Sequence, residues 1–346
     1  MPVDASAPQP AAPSAARRLG QRLAWPLWDR GNGRLRAAWR LLVAGVAYTV
    51  GQAALSVVLG RAGVWAASAI AGLLVATAGL GLAAWILDRR PLADYGLHLR
   101  RAWLRDLAFG LGLGALLMAL IFCVELAAGW LVVQDTFVAE GGAPFVRALS
   151  TPLALFLAVG VSEELTMRGY LLRNLAEGLR LGRLGPRAAV ALAWSLSSLV
   201  FGLLHADNPN ATLLSTVNLV LAGLFLGLGY VLTGDLALSI GLHITWNLFQ
   251  ASVFGLPVSG YVIRQARVFA VAQRGPALWT GGAFGPEAGL VGLLAMALGC
   301  AAIIGWCLRT RGRAALHADL AISPAERRGA HAAAPAEPIT PGGRGT

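Results

Sequence analysis

The chain has 346 residues, a formal net charge of +11, a mean hydropathy of +0.64 and only 13% charged residues. A water-soluble protein carries about 25% charged residues, so the composition excludes an ordinary soluble domain. All 28 basic residues are arginines, and most of those in the middle of the chain stand at the edges of apolar runs. Membrane topology explains that placement better than nucleic-acid binding does, and we expect no nucleic-acid partner.

Taken in chain order, the apolar runs predict an all-α fold, a polytopic membrane helix bundle of about eight transmembrane helices. Each run has roughly the 20 apolar residues that a bilayer crossing needs. Residues 1–36 are predicted to form a disordered cytoplasmic tail, residues 37–308 the transmembrane domain, and residues 309–346 a second disordered tail. The predicted spans are 37–59, 64–87, 107–133, 148–175, 188–205, 213–232, 236–254 and 288–308.

The arginines also predict an orientation. The two tails and the loops after the second and fourth spans are basic, and in a bundle of eight helices these segments share one side. Because positive residues favour the cytoplasm, we expect both termini to be cytoplasmic and the protein to be a multi-pass protein of a cell inner membrane.

Two glutamates and an arginine interrupt the fourth span, in the stretch Gly160-Val-Ser-Glu-Glu-Leu-Thr-Met-Arg168. Each charge costs roughly 2.5–3.5 kcal/mol at the centre of a membrane helix. Glu164 and Arg168 are four residues apart and share a helix face, whereas Glu163 points about 100° away. We predict that the pair of Glu164 and Arg168 braces the helix and that Glu163 performs chemistry. The alternative is a purely structural ion cluster.

Only two of the five histidines, His205 and His243, lie in predicted membrane segments. Each has a partner one helical turn away, Phe201 before His205 and Asn247 after His243, so each pair shares a face. Glu163 and His205 stand about 20 residues before and after the turn between the fourth and fifth spans, which places them at one level. Glu163 and His205 lie at the same depth as His243 only if the fourth and fifth helices project about 15 Å beyond the bilayer.

A carboxylate, two imidazoles and an amide in one apolar cavity can activate water. The carboxylate takes and returns a proton. The imidazole and amide groups either hold a metal ion or donate hydrogen bonds to a developing oxyanion. Together they are suited to the hydrolysis of an amide bond.

Three motifs at these positions resemble those of the CAAX protease and bacteriocin-processing family of intramembrane endopeptidases, which are related to type II CAAX prenyl proteases. The resemblance implies that Glu163 activates water, that His205, His243 and Asn247 line the same catalytic site, and that Glu164 and Arg168 hold the fourth helix. The motifs are Glu163-Glu164-Leu-Thr-Met-Arg168, Phe201-Gly-Leu-Leu-His205 and His243-Ile-Thr-Trp-Asn247.

The resemblance leaves the cofactor open between Zn²⁺ and no metal. A zinc site would need Glu163 beside His205 and His243, because catalytic zinc usually has three protein ligands. The expected partners are the lipid bilayer and a membrane protein or peptide substrate. The composition, rich in Ala, Arg and Gly, is typical of a bacterial protein, for which prenylated substrates are not expected.

Two rival hypotheses remain: a non-catalytic membrane immunity or binding scaffold, and a transporter that uses Glu163 as a proton carrier. Other polar residues are secondary candidates. Glu125 is either a further site member or a residue that faces the outer interface or pairs with Arg147. Asn208, with its neighbour Asp207, either hydrates the site or ends a helix. Tyr170 shares the Glu163 face or marks the interface.

Overall fold

The computed structural model describes residues 26–60, 65–180 and 184–327. These residues form a bundle of long helices with little sheet. The helices are α1 (Ala37–Gly60), α2 (Trp65–Ala83), α3 (Arg101–Ala127), α4 (Phe145–Glu164), α5 (Arg173–Gly178), α6 (Pro186–Leu203), α7 (Leu213–Thr233), α8 (Ala237–Leu248), α9 (Ala277–Thr280) and α10 (Leu290–Arg311). The strands are β1 (Trp28–Asp29), β2 (Arg34–Leu35), β3 (Leu131–Ala139) and β4 (Ala266–Gln273).

Six helical segments of the described residues are long and apolar enough to cross a membrane. This confirms the predicted all-α polytopic bundle, although not the count of eight. The longest segment, Phe145–Gly178, has 34 residues and joins α4 to α5 through a π-helical stretch, Leu165–Leu172. Two of the predicted spans have no counterpart among the six: α1, where the apolar segment found among the described side chains is Ala37–Gly51, and α8, which has only 12 residues.

Helix α8 forms the centre of the bundle, and every residue from Ala237 to Asn247 is buried. Helix α3 packs directly on it because glycines face each other across the contact. A side chain at Gly110 of α3 would collide with the backbone of Leu238, and one at Gly241 of α8 with the backbone of Leu107. Small residues of this kind let two helix backbones approach closely. The residues of α8 that carry chemistry are thereby held from several sides.

The fourth predicted span extends past the start of α8. Gly169 lies against Leu236, the residue that precedes α8, since a Cβ on this glycine would be 3.3 Å from the Leu236 Cδ1 atom. Residues 170–178 therefore continue about 13 Å further at a rise of 1.5 Å per residue.

A two-stranded antiparallel sheet of β3 and β4 was not predicted. The third span ends at Ala127 rather than at residue 133, and Gly129, with a φ of 72°, turns the chain into β3. Strand β3 then pairs with β4 over the register Leu131 opposite Gln273 to Ala139 opposite Ala266. The two segments are more than a hundred residues apart, so the pattern of either one alone does not show the pairing.

A layer of buried ion pairs lies at the end of the bundle where α5 ends. Glu177 accepts hydrogen bonds from Arg34, Arg40 and Arg90, and Asp88 lies 3.0 Å from Arg40. Burial lowers the pKa of Arg90 to about 10, which still leaves this side chain charged at neutral pH. Removing one partner of a buried pair costs about 3–5 kcal/mol, so these contacts tie the basic segments firmly together.

The described parts of both predicted tails are ordered, which differs from the expectation of disorder over 1–36 and 309–346. On the N-terminal side, β1 and β2 form a short hairpin and Arg34 is buried. On the C-terminal side, residues 309–311 complete α10 and the chain then packs back, with Leu320 buried and Arg327 bonded to Asp94 at 2.6 Å. Residues 1–25 and 328–346 lie outside the described residues.

Candidate active site

A cavity of about 440 Å³ collects the predicted site residues from three helices. Glu163 comes from the end of α4, His205 from the turn just after α6, and both His243 and Asn247 from α8. Apolar side chains such as Phe156, Phe225 and Trp246 supply much of the remaining wall. The structure therefore brings together the carboxylate, the two imidazoles and the amide that the sequence predicted to meet.

Glu164 and Arg168 form a buried ion pair behind the cavity, at 2.8 Å between Oε1 and Nη1. The Arg168 guanidinium also donates to the Gly223 carbonyl of α7 at 3.0 Å and lies 4.6 Å from the ring centre of Phe201. These contacts join α4, α6 and α7 through one side chain. The pair of Glu164 and Arg168 therefore lies between helices, in a position from which it can brace them, as we predicted.

The π-helical stretch begins directly after the two glutamates, at Leu165, and includes Arg168. Helical turns of this wider kind are frequent at functional sites. Within this stretch the spacing of four residues still lets Arg168 reach Glu164. The amino-acid pattern contains no signal from which the wider turn could be predicted.

Each histidine has its Nδ1 atom committed to an oxygen. His205 Nδ1 lies 2.7 Å from the Phe201 carbonyl, and His243 Nδ1 lies 2.8 Å from Glu164 Oε1. Because a carbonyl and a carboxylate accept, both Nδ1 atoms carry the proton. In the neutral imidazole the Nε2 atom then holds the free lone pair. In functional sites, a hydrogen bond of this kind at one ring nitrogen fixes the tautomer and the orientation of the histidine.

Glu163 stands apart from the buried pair. Its side chain is 28% exposed, whereas that of Glu164 is fully buried, and its Oε2 atom lies 3.9 Å from His243 Nε2. His243 is thus flanked by Glu164 on one nitrogen and by Glu163 on the other. Adjacent glutamates in the sequence consequently have different surroundings, one inside the protein and one facing the cavity.

A catalytic zinc ion usually needs three protein ligands. Among the described residues, no three side chains of the His, Cys, Asp or Glu type come together in a group that could hold a metal ion. The predicted ligands Glu163, His205 and His243 line one cavity without forming such a group. These positions do not fit a three-ligand zinc site.

Two secondary candidates lie elsewhere. Glu125 does not face the outer interface or pair with Arg147: it is buried and accepts a hydrogen bond from Gln273 of β4 at 2.8 Å. The return of β4 across the end of α3 covers it. Tyr170 is buried beside the ion-pair layer, with its hydroxyl 3.4 Å from Asp88, and does not line the cavity.

Two polar residues of the cavity wall, Ser259 and Glu287, were not among the candidates named from the sequence, whereas Asn208 was. Of the two neighbouring residues that we considered beside His205, Asn208 lines the cavity and Asp207 does not. Ser259 and Glu287 belong to the long segment between α8 and α10.

Comparison with known protein families matches residues 145–249 to the family described as type II CAAX prenyl endopeptidase Rce1-like. No curated protein and no solved structure matches the chain. The matched segment runs from the start of α4 to just past the end of α8, and it contains all three motifs together with the helices that carry them. Over this segment the chain is similar to the type II CAAX prenyl endopeptidase family, which supports the resemblance that the three motifs indicated.

Proposed function

We propose that this protein is an intramembrane endopeptidase that hydrolyses a peptide bond of a membrane-associated protein or peptide with a water molecule activated by Glu163. The observation that carries the proposal is the cavity in which Glu163 faces His205, His243 and Asn247 while Glu164 and Arg168 stay buried behind it. The family match supports the same class of reaction.

In the proposed reaction Glu163 takes a proton from water, and the water oxygen forms a bond to the carbonyl carbon of the substrate. His205, held through Nδ1 by the Phe201 carbonyl, presents Nε2 as a second acceptor that orients the water. The C–N bond then breaks, and the proton on Glu163 passes to the leaving amine. One peptide bond and one water give one carboxylic acid and one amine, and transfer of one proton between them leaves a carboxylate and an ammonium group, so atoms and protons balance.

The negative charge that develops on the carbonyl oxygen needs donors. The Asn247 amide supplies one, since its side chain lines the cavity. His243 supplies a second when it carries both protons, with its Nδ1–H donated to Glu164. Removing one such donor from an oxyanion site costs roughly 10²–10³ in kcat in other enzymes.

The orientation predicted from the arginines is part of this proposal: both described ends of the chain and the ion-pair layer lie at the cytoplasmic surface. The support is that Asn32 accepts a hydrogen bond from the Ala325 backbone at 2.9 Å and that Arg180 pairs with Glu326 at 2.6 Å. These contacts put the N-terminal, C-terminal and α5-end segments on one side of the bundle, as the charge distribution requires.

The test compares membranes of cells that produce the wild type, Glu163→Gln or Glu125→Gln. Mass spectrometry of peptide termini identifies membrane proteins that are cut in the wild type and uncut in Glu163→Gln. The Glu125→Gln control also neutralises a buried carboxylate, but outside the cavity, and is expected to leave the cleavage pattern unchanged. Identical termini for the wild type and Glu163→Gln would refute the proposal.

A further inference from the structure

On the basis of the proposed function, we propose that Glu287 is a positioning residue of the same cavity, which ties the turn that carries His205 to the end of the helix that carries His243 and Asn247. Glu287 lies outside the three motifs and outside the segment that matches the family. It stands just before α10 and lines the cavity.

The Glu287 carboxylate receives three donors from two different segments. Oε1 accepts from the Ser259 backbone N–H and, at 3.0 Å, from the Ser259 hydroxyl. Oε2 accepts from the Gln250 amide at 2.5 Å, and the same amide nitrogen also donates to the Pro257 carbonyl. An ionised carboxylate suits this place because it only accepts.

One of these contacts leads to His205. Asn208, three residues after His205, donates to the Ser259 carbonyl at 2.9 Å. Gly260 packs so closely on the Pro209 carbonyl that a side chain there would collide with it. Through Ser259, Glu287 therefore holds the whole turn in which His205 stands.

The other contact leads to α8. Gln250 follows Asn247 by three residues and His243 by seven, so it lies on the same side of the helix and its short π-helical continuation, Phe249–Val253. Glu287 thus links both walls of the cavity, directly to Gln250 at the α8 end and through Ser259 to the His205 turn. The separation of the two imidazoles across the cavity depends on this link.

The backbone of Ser259 adds an independent sign of constraint. Its φ is +45°, a left-handed value that a serine rarely adopts. Such a conformation persists only where the surroundings over-determine it, and it is concentrated at functional sites. Here the N–H of Ser259 is held by Glu287 and its carbonyl by Asn208.

Burial raises the pKa of Glu287 to about 7 and the hydrogen bonds from Ser259 and Gln250 oppose the rise, so these donors help to keep the carboxylate in place.

The first test does not depend on activity. Glu287→Gln places an amide N–H₂ against the Gln250 amide or the Ser259 N–H, so one donor loses its acceptor. Amide hydrogen exchange of the purified protein in detergent is expected to become roughly 10-fold faster or more in residues 204–211 and 255–260. Glu125→Gln, a buried carboxylate that also bonds a glutamine, is the matched control and leaves both segments at the wild-type rate. Unchanged exchange in Glu287→Gln would overturn the inference.

The second test measures cleavage of the membrane protein identified by comparing the wild type with Glu163→Gln. Because the imidazoles move relative to each other, kcat of Glu287→Gln is expected to fall roughly 10- to 100-fold with KM nearly unchanged. Asn208→Ala removes a contact of a partly exposed side chain and breaks the link at another point. It is expected to lower kcat as well, and the double variant to lower it by less than the product of the two single effects.

The outcomes separate the two proposals. Faster exchange together with a lower kcat supports the positioning role. A wild-type kcat in Glu287→Gln despite faster exchange overturns the positioning role and leaves the proposed function intact. If Glu163→Gln cleaves like the wild type, the proposed function fails, and the positioning role fails with it.

Discussion

The buried pair of Glu164 and Arg168 gives the sharpest test of how the site is held. Both side chains are almost completely buried, at 0% and 2% exposure, and their atoms approach to 2.8 Å. Either Arg168→Met or Glu164→Gln leaves one charge without its partner inside the protein, which costs about 3–5 kcal/mol. Removing both charges together avoids this penalty, so the double variant is expected to lose less than about 3 kcal/mol instead of the sum of about 6–10 kcal/mol.

The assay is equilibrium unfolding of the purified protein in mixed micelles, followed by circular dichroism. The pair of Arg180 and Glu326 is the matched control, because it is equally close, at 2.6 Å, but its side chains are 26% and 48% exposed. Neutralising either of these is expected to cost less than about 1 kcal/mol. The reasoning is refuted if the buried singles cost as little as the exposed ones, or if the double variant costs the full sum.

Three further predictions follow from other contacts. In the folded protein Glu287 has a pKa of about 7, against an ordinary value of 4.5, so the folded state binds more protons than the unfolded state. The free energy of unfolding is therefore expected to fall by about 3 kcal/mol as the pH rises from 4.5 to 7. Glu287→Gln removes this pH dependence from the measured unfolding, and a dependence that persists contradicts the assignment. Gly110→Ala is expected to destabilise by about 1–3 kcal/mol, because its Cβ meets the backbone of α8, whereas Gly112→Ala on the same helix meets nothing within 4 Å and keeps the wild-type midpoint of unfolding. Treatment with a strong chelator is expected to leave the cleavage rate unchanged, and a loss that added zinc restores would show a metal site.

The features that could be predicted are those determined by residues close together in the sequence. Long apolar runs predicted the helices, and residues four apart predicted that Glu164 would pair with Arg168 and that each histidine would share a face with its partner. The level of Glu163 and His205 followed from helix rise alone. These signals were enough to identify the four polar residues that meet in the cavity.

The parts that were missed depend on contacts between distant segments. Strand β3 looked like a loop because its partner β4 lies more than a hundred residues later. Glu125 looked exposed because nothing near it in sequence shows that β4 returns to cover it. The two tails were assigned to disorder from composition, yet Arg34 and Leu320 are buried by long-range contacts. Glu287 had no visible role because its partners, Ser259 and Gln250, stand 28 and 37 residues earlier.

The central claim concerns a water molecule that Glu163 activates, and oxygen transfer tests it most directly. The membrane protein cut by the wild type is incubated with the reconstituted enzyme in H₂¹⁸O, and the new carboxyl terminus is analysed by mass spectrometry. The proposed reaction predicts one ¹⁸O atom in that carboxylate for the wild type and for Glu125→Gln, and no product for Glu163→Gln. Labelled product formed by Glu163→Gln at the wild-type rate would contradict it.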